Sequence, residues 1–441
     1  MRIQGATVLV AGMARSGLAA IELLKKRGAA RIIAVDTKPF EPAALGVDEF
    51  RLQAPAAFSG VDLIVLSPGV PLDVVPPEIA PVIGDLELTA PFWKGRTIGI
   101  TGSNGKTTTT SMIGHILKES GIACQVGGNI GVPPAVLVES SKDGQWNVLE
   151  LSSFQLETIA GFHADIGVCL NITPDHLDRH GSLEAYAAAK RRLFETQTEM
   201  DYSVLNVDDT ICFSFAQHTR SQPAWFSLAH RVAAPGFWLD ENDALRTESG
   251  VLMPAAAIPV RGRHNVENTL AAATAAHLAG ATLEQIGAAV RSFKAVEHRL
   301  EFVREWRGIG FYNDSKATNV DATQKAIEAF DGGLWIILGG KDKDSDYTVL
   351  RELLGHKAKA ALLIGAAAAK IASQLKGAVS LIEAGDLKTA IAIAAAQAIK
   401  GDTVLLAPAC ASFDQFDNYE HRGRVFKSTV NSLPEDNHGS L

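Results

Sequence analysis

Short runs of Val, Ile and Leu alternate with alanine-rich stretches of helical character along most of the chain. Such alternation is typical of α/β domains, in which the strands of a parallel sheet are separated in sequence by helices. Three series of this kind can be distinguished along the 441 residues. Because a single hydrophobic core stops growing at about 250–300 residues, we predict an α/β protein with three domains.

The first series opens with a strand, a glycine turn and a helix, which is the usual start of a nucleotide-binding fold. We predict strands at Thr7–Ala11, Arg31–Val35 and 62–67, with a helix at about Gly17–Lys26. The turn GMARSG keeps the outer glycines of G-x-G-x-x-G, but Ala14 replaces the middle glycine that lets the backbone approach a pyrophosphate. This replacement argues against a bound dinucleotide. Asp36 follows the second strand, where a ribose contact is often found, although any turn aspartate would look the same.

The second series begins at the strand Arg96–Ile100, after a Pro- and Gly-rich stretch (74–95) that we interpret as a domain boundary. Short alternating runs between 229 and 259 interrupt this series, and a long helix follows the loop RGRHNVEN. The third series follows the segment EHRLEFV. It predicts strands within 309–314, 334–340, 359–365 and 403–408, and helices near 321–330 and 387–400.

The segment TGSNGKT (101–107) follows the first strand of the second series and leads into a helix. A Walker A motif needs a glycine where this chain has Ile100, so the spacing is not the standard one. The features of a phosphate cradle are still present, because glycines expose backbone N–H groups at a helix start and Lys106 adds a positive charge. Thr107 can offer its hydroxyl to magnesium. We predict a nucleoside triphosphate site here.

Acidic and histidine side chains follow two further apolar strands of the second series. Glu150 interrupts the run WNVLELSSF, and Asp175 and His176 lie in TPDHLDRH. The carboxyl ends of parallel strands form the edge at which α/β sheets bind ligands. Glu150 and His176 are therefore candidates for a magnesium site shared with Thr107. The alternative is a solvated strand end with Asp175 as a helix cap.

Other polar groups have weaker local signals. Lys190 lies on an amphipathic helix beside two arginines, and the pattern alone predicts a surface lysine. RHNVEN and EHRLE supply His264, Asn265, Asn268 and Arg299 near an inferred domain junction. These side chains could contact a base or a phosphate, or could simply be solvated in loops.

The third series places polar residues after its strands. YNDSKATNVDAT concentrates hydrogen-bonding side chains after one strand, which suits either anion recognition or a capped helix start at Asn319. Lys343 and Ser412 follow other strands of the same series. This repeated placement favours a face that holds a charged ligand.

The chain carries 41 Lys and Arg against 49 Asp and Glu, a formal charge of −8. This balance argues against nucleic-acid or anionic-lipid partners. No apolar run reaches the ~18 residues needed to span a bilayer. The four cysteines are far apart and lie in apolar surroundings, which is typical of a reduced cytoplasmic protein.

Taken together, nine segments resemble the Mur ligases, in chain order and over nearly the whole length. They are TGSNGKTTTT, GGNIG, LELSSFQLE, NITPDHLDRH, AAAKRRLF, RHNVEN, HRLE, NDSKATN and PACASFDQF. LELSSFQLE and NDSKATN resemble most closely the branch of the family that adds D-glutamate.

The resemblance implies a fold and an activity. The domains would be a Rossmann-like UDP-sugar domain (1–90), a central P-loop-type ATP-binding domain (91–295) and a Rossmann-like amino-acid domain (296–441). The reaction would add D-glutamate to UDP-N-acetylmuramoyl-L-alanine in peptidoglycan precursor synthesis. ATP would phosphorylate the substrate carboxylate, and the amine of D-glutamate would then displace phosphate from the acyl phosphate. The resemblance further implies two magnesium ions and a cytoplasmic protein, and we expect a monomer.

The resemblance also implies roles for residues of this chain. Lys106, His176 and Lys190 would be catalytic. ATP would contact Thr101, Gly102, Ser103, Asn104, Gly105, Lys106, Thr107, Thr108, Asn268, Arg299 and Asp314. The metal ligands would be Thr107, Glu150, His176 and Lys190, the last as a carbamate. The UDP-sugar would contact Ser16, Asp36, Thr37, Ser67 and Asn129, and D-glutamate would contact Lys316, Thr318, Lys343, Ser412 and Phe413.

Two positions depart from the family pattern. Lys38 stands where some members have an arginine, which puts a stacked bidentate contact there in doubt, and Tyr419 stands where a phenylalanine is also found. Three other functions remain open on the sequence: a related ATP-dependent ligase with another amino acid or acceptor, an ATP-regulated binding protein, and a dinucleotide oxidoreductase.

Overall fold

A computed structural model describes residues 2–294 and 296–434, and its strands assemble into three sheets. The chain divides into two compact units. The first contains the chain up to Ala257 together with Glu267–Ser292, and the second contains Ile258–Val266 together with the chain from Phe293 onward. Two sheets belong to the first unit and the third sheet belongs to the second.

The first sheet has five parallel strands in the order β3-β2-β1-β4-β5. The strands are β1 (Thr7–Ala11), β2 (Arg31–Asp36), β3 (Glu49–Leu52), β4 (Leu63–Leu66) and β5 (Val82–Gly84). The helices are α1 (Arg15–Lys26), α2 (Pro42–Leu45) and α3 (Asp85–Thr89). Alternate residues of β1 pack on opposite faces, Val8 and Val10 in one core cluster and Leu9 and Ala11 in the other. Burial of both faces explains the uninterrupted apolar run.

The second sheet has nine strands in the order β14-β13-β12-β11-β10-β9-β6-β8-β7. They are β6 (Arg96–Thr101), β7 (Cys124–Gly128), β8 (Trp146–Glu150), β9 (Ile166–Cys169), β10 (Tyr202–Asn206), β11 (Gln222–Ser227), β12 (Phe237–Leu239), β13 (Ala244–Thr247) and β14 (Gly250–Pro254). Strands β6 to β12 pair in parallel, whereas β13 and β14 pair antiparallel, which accounts for the short alternating runs in that region. The helices are α4 (Lys106–Glu119), α5 (Pro134–Leu137), α6 (Ser153–Leu156), α7 (Leu177–His180), α8 (Leu183–Arg191), α9 (Thr210–Ser214), α10 (Arg263–Leu278) and α11 (Leu283–Ser292).

The third sheet has six strands in the order β15-β16-β20-β17-β18-β19. They are β15 (Glu301–Trp306), β16 (Ile309–Asn313), β17 (Leu334–Gly339), β18 (Ala358–Ile364), β19 (Ser380–Gly385) and β20 (Thr403–Leu406). Only the edge strand β15 pairs antiparallel among these strands. The helices are α12 (Val320–Glu328), α13 (Arg351–Lys357), α14 (Ala368–Leu375), α15 (Leu387–Gln397) and α16 (Tyr419–Asn431).

The predicted α/β class with mainly parallel sheets is confirmed. Among the described helices, none has both the length and the apolar character required to cross a bilayer.

Candidate functional site

The turn between β6 and α4 is built around two glycines with positive φ. Gly105 precedes the first residue of α4 at φ +87°, and a Cβ there would lie 2.2 Å from Asn268 Oδ1. Gly102 has φ +140°, and a Cβ there would lie 3.0 Å from Leu170 Cβ. Glycine is thus required for both backbone angle and space. Gly105 provides no side-chain cap to α4, and the amino end of this 14-residue helix carries a partial positive charge that attracts anions.

The same turn is fastened to the segment that follows β9. Asn104 N donates to Asn171 Oδ1 at 2.8 Å, and Ser103 N donates to the Asn171 carbonyl at 2.8 Å. Thr173 N donates to Ser103 Oγ at 2.9 Å, and that hydroxyl donates to the Thr173 carbonyl at 2.9 Å. These four bonds fix the turn against residues 171–173.

Two lysines converge on the carbonyl of Gly102. Lys106 Nζ donates to this carbonyl at 2.7 Å and to that of Ser103 at 2.8 Å. Lys190 Nζ donates to the Gly102 carbonyl at 2.8 Å and lies 4.6 Å from the ring centre of Tyr186. Burial, and secondly the charge of Lys106, lower the pKa of Lys190 well below its usual value. Both causes disfavour the charged ammonium form of Lys190 at this position.

The prediction of a surface position for Lys190 is wrong, because its side chain is only 1% exposed. Helix α8 buries the face that carries Tyr186, Ala187, Ala189 and Lys190. Tyr186 and Lys190 are one helical turn apart, so they share this face. The neighbouring arginines suggested a solvated helix end, but packing of α8 decides otherwise.

Glu150 ends β8 inside the protein, with 1% of its surface exposed. Its Oε1 accepts a hydrogen bond from Asn129 Nδ2 at 2.8 Å. Its Oε2 is buried and has no hydrogen-bond partner within the described structure. A buried carboxylate oxygen without a partner is costly unless a cation or a ligand meets it. Thr107, in the first turn of α4, is also buried.

His176 lies in a left-handed backbone conformation, at φ +53°, immediately before α7. The backbone N–H of His176 donates to Asp175 Oδ1 at 3.0 Å, and its ring Nε2 lies 3.7 Å from Asp175 Oδ2. Its ring packs edge-on against Phe154, with ring centres 4.8 Å apart. Phe154 belongs to the LELSSFQLE segment, so two of the segments singled out in the sequence are in contact.

In the first sheet, the GMARSG turn is closed by Ser67. Ser67 Oγ donates to the Gly12 carbonyl at 2.7 Å. A Cβ on Gly17 would lie 1.9 Å from that same carbonyl oxygen, so the last glycine of the motif is required for close packing. Ala14 precedes α1 and makes no side-chain cap, so the amino end of this 12-residue helix is also uncapped.

Asp36, at the end of β2, is held by backbone donors. Its carboxylate accepts hydrogen bonds from Met13 N at 2.7 Å and Lys38 N at 3.0 Å. The hydroxyl of Thr37 donates to the same group at 3.3 Å. Burial alone would raise the pKa of Asp36, but these hydrogen bonds outweigh it and lower the pKa.

Asp85 is a buried carboxyl group that faces Ser16, and no sequence pattern pointed to it. Asp85 begins α3 and is 2% exposed. Gln155 Nε2 donates to its Oδ2 at 3.4 Å, while its Oδ1 has no hydrogen-bond partner in the described residues. Burial raises the pKa of Asp85 to about 6, and Ser16 and Gln155 offset only part of this rise.

In the second unit, polar residues gather where β16 ends. Asn313 Nδ2 lies 2.8 Å from His298 Nδ1 and donates to Glu301 Oε2 at 3.0 Å. Asp314 is 9% exposed. Burial raises the pKa of Asp314 to about 7, although the nearby charge of Arg299 partly opposes the rise. A carboxyl group poised near neutrality at a strand end is typical of a binding or reaction site.

Arg422 connects the loop after β16 to the loop after β20. It is fully buried, and its Nε and Nη2 donate to Ser315 Oγ at 3.0 Å and the Ser315 carbonyl at 2.8 Å. Its Nη1 donates to the Cys410 carbonyl at 3.1 Å. Lys316, next in the chain, has its Nζ 3.9 Å from the ring centre of Tyr419.

The remaining predicted residues of the second unit differ in exposure. Ser412 is 2% exposed, whereas Phe413 is 68% exposed and Lys343 is also exposed. Thr318 N donates to the Lys316 carbonyl at 2.8 Å. Of the two interpretations of this segment, the capped helix start is confirmed, because the Asn319 side chain accepts a hydrogen bond from Ala322 N at 2.8 Å and caps α12. Anion recognition by the segment stays a prediction.

Comparison with known proteins bears on the whole chain. Residues 100–276 match the Mur ligase middle domain, and residues 298–410 match the Mur ligase glutamate ligase domain. A UDP-N-acetylmuramoylalanine--D-glutamate ligase of Solibacter usitatus is 59% identical and covers 99% of this chain and 100% of its own length. The chain belongs to the Mur ligase family. The ligase of the same name from Acidobacterium capsulatum is 51% identical, over 98% of this chain and 97% of its own.

Solved Mur ligase structures share the fold at low identity. The UDP-N-acetylmuramate-alanine ligase of Thermotoga maritima has a TM-score of 0.63 at 19% identity, covering 97% of this chain and 99% of its own. The MurF ligase of the same organism, in complex with ADP, also has a TM-score of 0.63 at 19% identity, covering 97% and 96%. The predicted family resemblance and the predicted fold class are both confirmed.

The structure brings together several residues that the Mur ligase resemblance implied. Lys106 and Lys190 share one carbonyl, Asn268 adjoins Gly105, and Asn129 bonds Glu150. Among the described residues, two groups of three His, Asp or Glu side chains have ligand atoms within 4.8 Å of one another, and neither contains Glu150 or His176. The predicted magnesium site is thus not a ready cluster of carboxylates.

Three residues that organise this Mur ligase escaped the sequence analysis. Asn171 lies two residues after the end of the apolar strand β9, and this placement could have identified it. Asp85 and Arg422 had no local signal, because each is defined by partners far away in the chain.

Proposed function

We propose that this chain uses ATP to join D-glutamate to UDP-N-acetylmuramoyl-L-alanine, a step of peptidoglycan precursor synthesis. The observation that carries the proposal is 59% identity, over 99% of the chain, to a ligase named for these two substrates. The rigid glycine turn with its two converging lysines is consistent with it, because this geometry suits a polyphosphate.

The turn residues Thr101, Gly102, Ser103, Asn104, Gly105, Lys106, Thr107 and Thr108 would surround the phosphates of ATP, with Asn268, Arg299 and Asp314 contacting the rest of the nucleotide. Lys106 now bonds carbonyls of its own turn, and phosphate oxygens would replace these acceptors. The substrate carboxylate would attack the γ-phosphorus and form an acyl phosphate, with ADP leaving. The D-glutamate amine would then attack the acyl carbon, lose a proton and expel phosphate. Charge stabilisation and alignment supply the catalysis, without a protein nucleophile.

Thr107, Glu150, His176 and Lys190 are the proposed metal ligands, for two magnesium ions. One observation fits a bound cation: the buried Glu150 Oε2 has no hydrogen-bond partner in the described part of the chain. Magnesium, when bound, neutralises charge on phosphoryl oxygens. Lys190 would serve as a carbamate, formed when its neutral amine adds carbon dioxide and releases a proton. The lowered pKa of Lys190 supports this modification, because only the neutral amine is nucleophilic.

The two substrates would occupy the strand ends of the first and third sheets. Ser16, Asp36, Thr37, Ser67 and Asn129 are proposed for the UDP-sugar, and Lys316, Thr318, Lys343, Ser412 and Phe413 for D-glutamate. The uncapped amino end of α1 suits a diphosphate. The buried Arg422 holds the Lys316 and Ser412 loops together, which suits recognition of a small dicarboxylate by both loops.

We further propose domains at 1–90, 91–295 and 296–441, a monomer, and a cytoplasmic location. The three sheets support the domain division. The formal charge of −8 supports small-molecule partners rather than nucleic acid.

ADP release by the purified protein with ATP and magnesium tests the function. We expect release only when UDP-N-acetylmuramoyl-L-alanine and D-glutamate are both present, with one amide formed per ADP. L-glutamate, D-alanine and the nucleotide sugar that lacks L-alanine serve as controls. Turnover that needs another amino acid would indicate a related ligase, and turnover independent of any amino acid would indicate an ATP-regulated binding protein.

A further inference from the structure

Four side chains of the second unit form a hydrogen-bonded group beside Lys343, here named the Asp342 network: Asp342, Tyr347, Lys370 and Cys410. Asp342 Oδ1 accepts a hydrogen bond from the Tyr347 hydroxyl at 2.7 Å, and its Oδ2 accepts one from Lys370 Nζ at 2.7 Å. The Tyr347 hydroxyl also lies 3.0 Å from Cys410 Sγ. Tyr347 and Cys410 are almost completely buried.

The direction of these hydrogen bonds follows from the charge states. Burial would raise the pKa of Asp342, but hydrogen bonds from Lys370 and Tyr347 outweigh it and lower the pKa. Burial raises the pKa of Cys410 to about 11, and it also raises the pKa of Tyr347. At neutral pH the carboxylate can only accept, so Tyr347 gives it its single hydroxyl hydrogen, and the Cys410 thiol donates to the Tyr347 oxygen.

This network joins two loops that the backbone also connects. Lys341 N donates to the Ala411 carbonyl at 2.8 Å, and Ala411 N donates to the Lys341 carbonyl at 3.1 Å. A Cβ on Gly340 would lie 2.3 Å from the Ala411 oxygen, so the approach of the loops requires glycine there. The network therefore continues a contact between the loop after β17 and the loop after β20, which carries Ser412.

Lys343 lies in sequence between Asp342 and Asp344, and both of these carboxylates contact Lys370. Lys370 Nζ, besides bonding Asp342, donates to Asp344 Oδ1 at 3.3 Å. Asp344 has φ +61°, a left-handed conformation that non-glycine residues seldom adopt. Asp342 thus anchors the chain just before Lys343, whereas the side chain of Asp344, which follows, is fully exposed and its ion pair contributes little. The side chain of Lys343 itself is exposed.

We propose that Asp342 and Tyr347 are positioning residues that hold Lys343 opposite Ser412 and thereby determine the affinity for the amino-acid substrate. This inference rests on the proposed function, in which both residues contact D-glutamate. The physical reason is preorganisation: a loop that is ordered before binding does not lose its conformational entropy when the ligand arrives. The network touches no reacting atom, so its effect should appear in KM rather than in chemistry.

The conservative variant Tyr347→Phe removes one oxygen and keeps the packed ring. We expect its KM for D-glutamate to rise about fivefold or more, because it removes a hydrogen bond to a charged group. KM for ATP, KM for the UDP-sugar and kcat should each change by less than about twofold, because the variant leaves the glycine turn between β6 and α4 intact. Tyr312→Phe is the matched control, since Tyr312 belongs to the same core cluster and should leave all constants unchanged.

A double-mutant cycle with Lys343→Ala tests whether the effect passes through Lys343. In the Lys343→Ala background, Tyr347→Phe should add little further rise in KM, since coupled residues are non-additive. Lys370→Ala should reproduce the rise, and Lys370→Arg should largely restore the wild-type value. An unchanged KM for D-glutamate, equal rises for all three substrates, or full additivity with Lys343→Ala would overturn the inference. If the wild-type protein itself shows no D-glutamate-dependent ADP release, the proposed function fails instead.

Discussion

Asp85→Asn should stabilise the protein at neutral pH. The wild-type carboxyl is 2% exposed, lacks any cationic partner among its hydrogen bonds, and has its pKa raised by burial from 3.8 to about 6. At about 1.4 kcal/mol per pH unit, the raised pKa reduces stability by about 3 kcal/mol at pH 7, where the folded protein must ionise this group. The amide has the same shape, its oxygen can keep the hydrogen bond from Gln155, and its NH2 group can donate to the Ser16 hydroxyl, so the substitution chiefly removes the charge.

The sign of the pH dependence follows from proton binding. Between pH 3.8 and about 6 the folded state binds more protons at Asp85 than the unfolded state, so wild-type stability falls as the pH rises through this range. The advantage of Asp85→Asn should therefore shrink to well under 1 kcal/mol at pH 4 and grow to about 3 kcal/mol by pH 7.

Urea unfolding of both proteins at pH 4, 5, 6 and 7 measures this difference. Asp36→Asn is the matched control of opposite sign, since hydrogen bonds lower the pKa of Asp36 and its charge stabilises the folded state above the unfolded pKa. That variant should be less stable than wild type at pH 7, and the loss should diminish as the pH falls. An Asp85→Asn advantage that does not change between pH 4 and 7 would show that burial of a charge is not its cause.

Three further substitutions test the proposed ATP site. Lys106→Ala should lower kcat by about 100-fold or more, the usual effect of losing one preorganised charge-stabilising donor, with an unchanged unfolding midpoint; near-normal turnover would contradict its role. Lys190→Ala should be almost inactive but recover part of its activity with added formate or acetate, whereas Lys190→Ala insensitive to small carboxylates would count against a carbamate. Gly105→Ala should lower stability by about 1–3 kcal/mol in thermal unfolding, because its φ of +87° and the 2.2 Å approach to Asn268 both exclude a Cβ; a midpoint equal to that of wild type would mean that the turn adjusts freely.

The sequence predicted the strands that are buried on both faces, because such strands are continuous apolar runs. Strands β1, β6, β8 and β17 lie where the pattern placed them. Strands β3 and β19 escaped prediction, because Glu49–Leu52 and Ser380–Gly385 are only partly buried and mix polar with apolar residues.

In the candidate site, some features follow from neighbouring residues in the sequence and others from packing against distant segments. The amino acid order alone was enough to locate the glycine turn before α4 and to place Glu150 at a strand end, since a backbone turn and a strand end are local features. Lys190 required the fold, because a helix beside two arginines gives no sign that packing of α8 buries its amine next to a second lysine.

The sequence by itself determined the alternation of strand and helix, the glycine turn before α4 and the family, because these depend on short-range pattern and residue identity. Only the tertiary structure decided which polar side chains are buried away from solvent. The altered pKa values of Lys190, Asp85 and Asp314 arise from burial by segments distant in the chain. Desolvation and charge interactions act through space, so the order of residues along the chain does not specify them.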